Sequence, residues 1–195
     1  MKNKFLLVIV FAVLSSQGRA QAVFMDCPLG GKPANFDDSM KNRYEIPESY
    51  SAMDFLQLSK MKFTDKLQPR AISVKGYCIL VKDGGPETCN CKSGDHDAWD
   101  VHIELTQDEK HLSNKDAIVC EINGRLKAIM KAQGVDWSMA AVRKLILHHH
   151  IEISGYWFTD DHHKQNSVAD NPAGTDDWRI STLEIHPVTR IRILD

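Results

Sequence analysis

Three acid–histidine pairs are the residues of this chain best suited to chemistry. Asp100 and His102 stand two apart, as do Glu184 and His186, and Asp160-Asp161-His162-His163 form a continuous run. On a β-strand, residues two apart share a face. Each strand pair therefore presents an imidazole and a carboxylate on the same side, and Glu104 extends the first pair by one further step. Imidazole nitrogen and carboxylate oxygen together suit a divalent cation such as zinc or manganese. The candidate ligand-binding residues are Asp100, His102, Glu104, His162, His163, Glu184 and His186, and those proposed for metal are His102, His162, His163, Glu184 and His186. A metal-bound water would be acidic enough to attack a phosphoester. Without a metal, the same pairs serve as acid–base groups or as hydrogen-bonded pins that hold loops to a scaffold. Residue types alone leave these readings open, and no individual catalytic residue is assigned.

Other signals are weaker. No G-x-S-x-G elbow, P-loop, G-x-G-x-x-G or H-E-x-x-H occurs. Cys89-Asn90-Cys91 is a C-x-C, far short of the four spaced ligands of a structural zinc site. Five cysteines is an odd number, and Cys89 or Cys91 bridging Cys27 is one arrangement open to an oxidised protein. His148-His149-His150 falls between a helix and a strand and reads as a solvated junction.

The elements that must position the pairs follow from periodicity. From Ala71 apolar residues alternate: Ile72, Val74, Cys78 and Leu80 share a face, with Gly76 in register marking a bend. A second strand, Trp99 to Leu105, turns Trp99, Val101, Ile103 and Leu105 inward and Asp100, His102 and Glu104 outward. A third spans Ala117 to Ile122. Helical spacing then takes over through Leu126, Ile129 and Met130, stopped by Gly134. A second helix, capped by Asp136, carries Val142, Leu145 and Ile146. Alternation returns at Ile151, and a last strand is expected from Trp178, with Leu183 and Ile185 inward, then Ile191 and Ile193 beyond a break at Pro187. Three strands, a helical insert and two strands is the order of an OB-fold. The expected fold is mainly β: a five-stranded OB-like Greek-key barrel, in strand order 1-2-3-5-4, with the insert at 124–147 between strands 3 and 4. Antiparallel pairing is expected throughout, with the outward faces solvated. His102 and His186 should then lie on the barrel exterior, with His162 or His163 closing over them.

Residues 70–195 form this barrel domain, preceded by an N-terminal arm at 23–69. A short helix is expected in the arm near Ser51–Leu58, and nothing in the arm looks chemical. Residues 1–22 differ in kind. Lys2 and Lys4, an apolar run from Phe5 to Leu14 and the ending Ala20-Gln21-Ala22 make a signal peptide, too short to span a bilayer. The chain of 195 residues carries a net charge of −2, and cleavage would remove three cations and no anions. A mature charge of −5 disfavours nucleic acid as a partner. Arg179, Arg190 and Arg192 are the residues from which a basic patch would have to come. No later segment is apolar enough for a membrane anchor, so the product is expected in the periplasm or secreted.

Several stretches also resemble an uncharacterised family of exported bacterial OB-fold-like proteins. They are Gly84-Gly85-Pro86-Glu87-Thr88-Cys89-Asn90-Cys91, Asp100-Val101-His102-Ile103-Glu104-Leu105, Asp136-Trp137-Ser138, and Trp178-Arg179 through Glu184-Ile185-His186-Pro187-Val188-Thr189. Lys41-Asn42-Arg43 and Pro47 fit as well, and Leu183 stands where the family pattern has Trp. The resemblance implies an exported OB-like domain and supplies no activity. In an OB-fold the ligand meets the outer face of strands 2 and 3 between the loops after strands 1 and 4. Here those loops, 82–97 and 159–177, are long. The leading expectation is therefore a binding module that grips a small-molecule or polymeric ligand between them. The alternative is a metal-dependent hydrolase. N-terminal sequencing of protein recovered from its native host should find a start within a residue or two of Val23; an intact Met1 would refute export by this leader.

Overall fold

The computed structural model describes residues 41–65 and 70–195. The leader 1–22 and residues 23–40 and 66–69 of the arm lie outside the described residues. A short strand β1 (Ser51–Met53) precedes helix α1 (Phe55–Ser59). The barrel consists of β2 (Ala71–Asp83), β3 (Val101–Thr106), β4 (Ile118–Ile122), β5 (His150–Thr159) and β6 (Leu183–Ile193). Their order is β2-β3-β4-β6-β5, and β5 pairs back to β2 to close the ring. The insert between β4 and β5 is α2 (Gly124–Ala132) and α3 (Met139–Ile146). The five-stranded OB-like barrel, with its helical insert, is the architecture expected from periodicity.

Closure depends on β2 serving two partners. Its first half, from Ala71 to Tyr77, pairs with β5, and its second half, from Tyr77 to Asp83, pairs with β3. The strand must bend where it changes partner. Gly76 sits there against β3: a Cβ would strike the Thr106 carbonyl oxygen and come within 2.7 Å of Leu105 Cγ. The register then slips between Cys78 and Leu80. This bulge turns Val81, rather than the expected Leu80, into the core, as an extra residue does in a period-two strand.

Uniform antiparallel pairing does not hold. β4 and β6 run parallel, as do β1 and β2. For the barrel the reason is parity: directions alternating around a ring require an even number of strands, and five leaves one parallel pair. The helical insert is the crossover that permits it.

Local details shift as well. Ser51–Met53 is a strand rather than helix. Asp54 caps α1 by accepting from Gln57 N, and Phe55 and Leu58, not Leu56, face inward. Ser138, not Asp136, caps α3, accepting from Ala141 N, and Leu145 is exposed. Gly134, at φ 80°, ends α2 as expected. Trp99 lies before β3, where its indole N–H donates to the Ser93 carbonyl at 2.7 Å and its ring stacks on His96.

The largest departure concerns the outward faces. Every residue of β3 and β4 is buried, so the polar side of these strands is covered as fully as the apolar side. The cover is the chain itself: the arm at Lys41–Arg43, the β2–β3 loop and the β5–β6 loop.

Gly155 on β5 lets β6 approach. A Cβ there would meet the Pro187 carbonyl and Ile185 Cγ2. Gly155→Ala is expected to lower stability by about 1–3 kcal/mol through overpacking. A urea midpoint unchanged from wild type would show that β6 can move away without cost.

Candidate metal centre

Alternation on β3 sends His102 and Glu104 to the face opposite Val101, Ile103 and Leu105. On β4 it sends Glu121 to the same outer face, directly across from His102 in the ladder. β6 lies on the other side of β4 and adds Glu184 and His186. Asp100, just before β3, completes the group.

Glu121 is its centre. His102 Nδ1 lies 2.9 Å from Glu121 Oε1, and His186 Nδ1 lies 2.9 Å from Glu121 Oε2. His102 Nε2 reaches Glu104 at 3.3 Å, and His186 Nε2 reaches Asp100 Oδ2 at 3.2 Å. Glu184 is 3.6 Å from His186 Nδ1 and forms a 2.7 Å ion pair with Arg179. From the arm, Lys41 Nζ lies 3.5 Å from both Glu87 and Asp160.

The loops are fastened over this cluster by directed hydrogen bonds. Asn123, the cap of α2, donates to the carbonyls of Lys41 and Arg43. Asn42 donates to the Cys89 carbonyl at 2.7 Å. Asn90 donates to the Gly85 carbonyl while its own carbonyl accepts from Glu87 N, which holds the β2–β3 loop in shape.

The site is rich in buried negative charge. Asp100, Glu104, Glu121, Asp160 and Glu184 are all at most 4% exposed, against three buried cations, Lys41, Arg179 and Lys127, the last acting on Asp100. With both imidazoles neutral, two carboxylates are in excess. Buried charge without compensation is strongly unfavourable. The ionisation equilibria record the same pressure. Burial would lower His102, but its hydrogen bonds to Glu104 and Glu121 override this and raise it to about 9. Burial would likewise lower His186, yet Asp100, Glu121 and Glu184 hold it well above the usual imidazole range. Burial would raise Glu184, and Arg179 instead brings it to about 2. Half-buried Glu87 is pushed up to about 7 by burial and by Glu121. Burial, then Glu184, raises Asp160.

His186 is the informative residue. It is 1% exposed, and both ring nitrogens lie within ion-pairing distance of carboxylates, but neither makes a hydrogen bond of acceptable geometry. Glu121 Oε2 is also without a hydrogen bond. Ligand atoms of Asp100, Glu121 and His186 all lie within 4.8 Å of one another, so this buried triad has the spacing to hold a metal ion. Arg179 Nη1, 2.7 Å from Glu184, is likewise without a hydrogen bond of acceptable geometry, so close approach without alignment is shared across the cluster.

Some expected site residues gather here and others do not. Asp100, His102, Glu104, Glu184 and His186 come together. His102 and His186 are nonetheless buried, at 5% and 1% exposure, and not on an open exterior. His162 is exposed and lies beside Asp161 rather than closing over the cluster. His163 sits at the rim, 3.9 Å from Asp160 and edge-on to Trp178. The residues missed were Glu121, Lys41 and Arg179. Glu121 had a signal: it is the one charge in Ile118-Val119-Cys120-Glu121-Ile122. Lys41 stood in a stretch of the family resemblance but carried no chemical pattern, since its role depends on where the arm crosses the barrel. The supposed basic patch does not form, because Arg179 is buried on Glu184 while Arg190 and Arg192 pair with Glu152. Cys91 is disulfide-bonded, whereas Cys78, Cys89 and Cys120 are free. Cys27 lies outside the described residues. His149 and His150 pair with Asp195 and Glu109 at the surface.

No family model and no curated protein matches this chain. Among solved structures, the chain is similar to Entamoeba histolytica asparaginyl-tRNA synthetase at 14% identity and a TM-score of 0.38. The match covers 76% of this chain and 24% of that one, and at this level it carries no functional argument.

Removing one member of a buried ion pair strands the other. Arg179→Met should cost about 3–5 kcal/mol. Adding Glu184→Gln should restore part of it, because the stranded carboxylate is then gone. Chemical denaturation of the two variants measures both, and a double mutant no more stable than the single one would contradict the pairing.

Proposed function

We propose that this protein is an exported OB-like binding module whose ligand is a divalent cation, held by Asp100, Glu121 and His186 beneath the loops 82–97 and 159–177. The observation that carries this reading is His186: fully enclosed by carboxylates, close to them through both nitrogens, and hydrogen-bonded through neither. A cation would also offset the excess negative charge of the cluster. One imidazole and two carboxylates form a donor set suited to zinc or manganese. Binding would displace protons from the group, as metal binding generally does.

Two further features support the reading. The segments resembling exported bacterial proteins include Lys41, Glu87, Asp100, Arg179, Glu184 and His186, all of which meet at this cluster. The disulfide at Cys91 accords with an oxidising compartment. Among the described residues no helix is long and apolar enough to cross a membrane.

Hydrolysis is the less favoured role. A catalytic ion needs an open coordination position that substrate can reach, and the three ligands here are at most 4% exposed. An oligonucleotide is disfavoured on charge, since the face an OB-fold usually offers is occupied here by carboxylates and by the chain itself.

Protein purified without a metal-affinity column should contain about one equivalent of zinc or manganese by elemental analysis. Asp100→Asn and His186→Ala should each lose it while keeping the wild-type β-sheet circular dichroism. A metal-free wild type that takes up neither ion after dialysis would refute the site.

A further inference from the structure

Of the three segments that cover the carboxylate cluster, two are braced within themselves. The β2–β3 loop contains the 3-10 turns Thr88–Asn90 and His96–Ala98. The β5–β6 loop contains the 3-10 segment Asp161–Asn166, with Asp170 as its anchor. The arm from residue 41 to 50 contains neither helix nor strand. It is tied down instead by side chains of the helical insert. Asn123 Nδ2 donates to the carbonyls of Lys41 and Arg43, each at 2.7 Å, and Arg125 donates to the carbonyl of Asn42 at 3.4 Å. Asn42 in turn donates to the Cys89 carbonyl at 2.7 Å.

Lys41 closes the seam between the two loops. Its ammonium lies 3.5 Å from Glu87, on the β2–β3 loop, and 3.5 Å from Asp160, at the start of the β5–β6 loop. It also stands 5.6 Å from the centre of the Phe158 ring. Burial would lower the Lys41 pKa, but Glu184, Glu121, Asp160 and Glu87 raise it instead and keep the side chain an ammonium. A divalent ion leaving past Lys41 therefore meets a plug and a like charge together, and like charges repel strongly where water is excluded. With segment 41–43 lifted, the plug is gone and the cluster loses one of its compensating cations. Its carboxylates then draw a cation inward.

We infer that segment 41–43 is a strap that gates the cation centre, so that the ion enters and leaves only while the strap is lifted from Asn123 and from the two loops. The inference rests on the triad reading above and adds how that site exchanges its ion. Opening of this kind is local: a few hydrogen bonds and one buried ammonium are given up while the barrel strands stay paired. A gate changes entry and exit rates by the same factor and leaves the affinity where it was, because the bonds lost are the same in the empty and the loaded protein. Asn123→Ser isolates this effect. Serine can still cap α2 by accepting from Leu126 N, as Asn123 does, but it has no amide to hold the strap.

The test is stripping of the full chain loaded with zinc, or with manganese where zinc does not bind, by an excess of a chromogenic chelator in stopped flow. In wild type the release rate is expected to be independent of chelator concentration, because strap opening limits it. This needs no variant. In Asn123→Ser, release and uptake should both quicken by about 10-fold or more, as two lost hydrogen bonds imply, with Kd within about three-fold of wild type. Thr182→Val removes a hydroxyl that Asp170 accepts from on the β5–β6 loop, and it should leave both rates unchanged. A wild-type release rate that rises in proportion to chelator, or equal release from wild type and Asn123→Ser, would overturn the strap and leave the triad standing. Acceleration in Thr182→Val equal to or beyond that in Asn123→Ser would move the gate to the β5–β6 loop and overturn it likewise. A wild type that takes up neither zinc nor manganese would overturn both.

Discussion

Burying five carboxylates on the outer face of β3, β4 and β6 is the constraint on which the rest of this structure depends. A half-buried sheet normally turns such residues to water, where their charge is solvated. Here the arm, the β2–β3 loop and the β5–β6 loop cover them, so solvation must be replaced by directed contacts. Lys41 and Arg179 neutralise part of the charge, and the two imidazoles divide Glu121 between them. The remaining excess is the physical argument for the cation proposed at Asp100, Glu121 and His186.

The same constraint accounts for loops that are long but not loose. Asn42, Asn90 and Asn123 spend their amides on backbone carbonyls of the segments that cross the cluster. Each bond is modest alone, roughly 0.5–1.5 kcal/mol net. Their value lies in fixing where the charged side chains arrive. The β5–β6 loop is secured in a similar way, with Asp170 accepting from Phe63 N and from the Thr182 hydroxyl. An ion in the centre would tie β3, β4 and β6 to the β2–β3 loop through a single point.

An OB-like barrel usually keeps its outer face on strands 2 and 3 for ligands, and this chain has filled that face with its own residues. Several exposed charges around the barrel are paired: Arg190 and Arg192 with Glu152, His150 with Glu109, His149 with Asp195. The densest cluster of acids and imidazoles among the described residues is internal, at Asp100, His102, Glu104, Glu121, Glu184 and His186.

Periodicity sufficed to place the five barrel strands, the helical insert and the inward residues Ile103, Ile185 and Trp157, because alternation and helical spacing are local properties of a chain. The pairing of residue types also marked Asp100, His102, Glu184 and His186 before any fold was known. It did not reveal that their face is buried, since burial depends on the arm and the two long loops folding back across it. The roles of Lys41 and Arg179 were hidden for the same reason: a lone cation has no chemical pattern until tertiary structure sets it beside an acid. Glu121 lay between these cases. Its strand position was legible, but its place between two imidazoles came from the register of β4 against β3 and from the parallel neighbour β6, which the odd number of strands imposes.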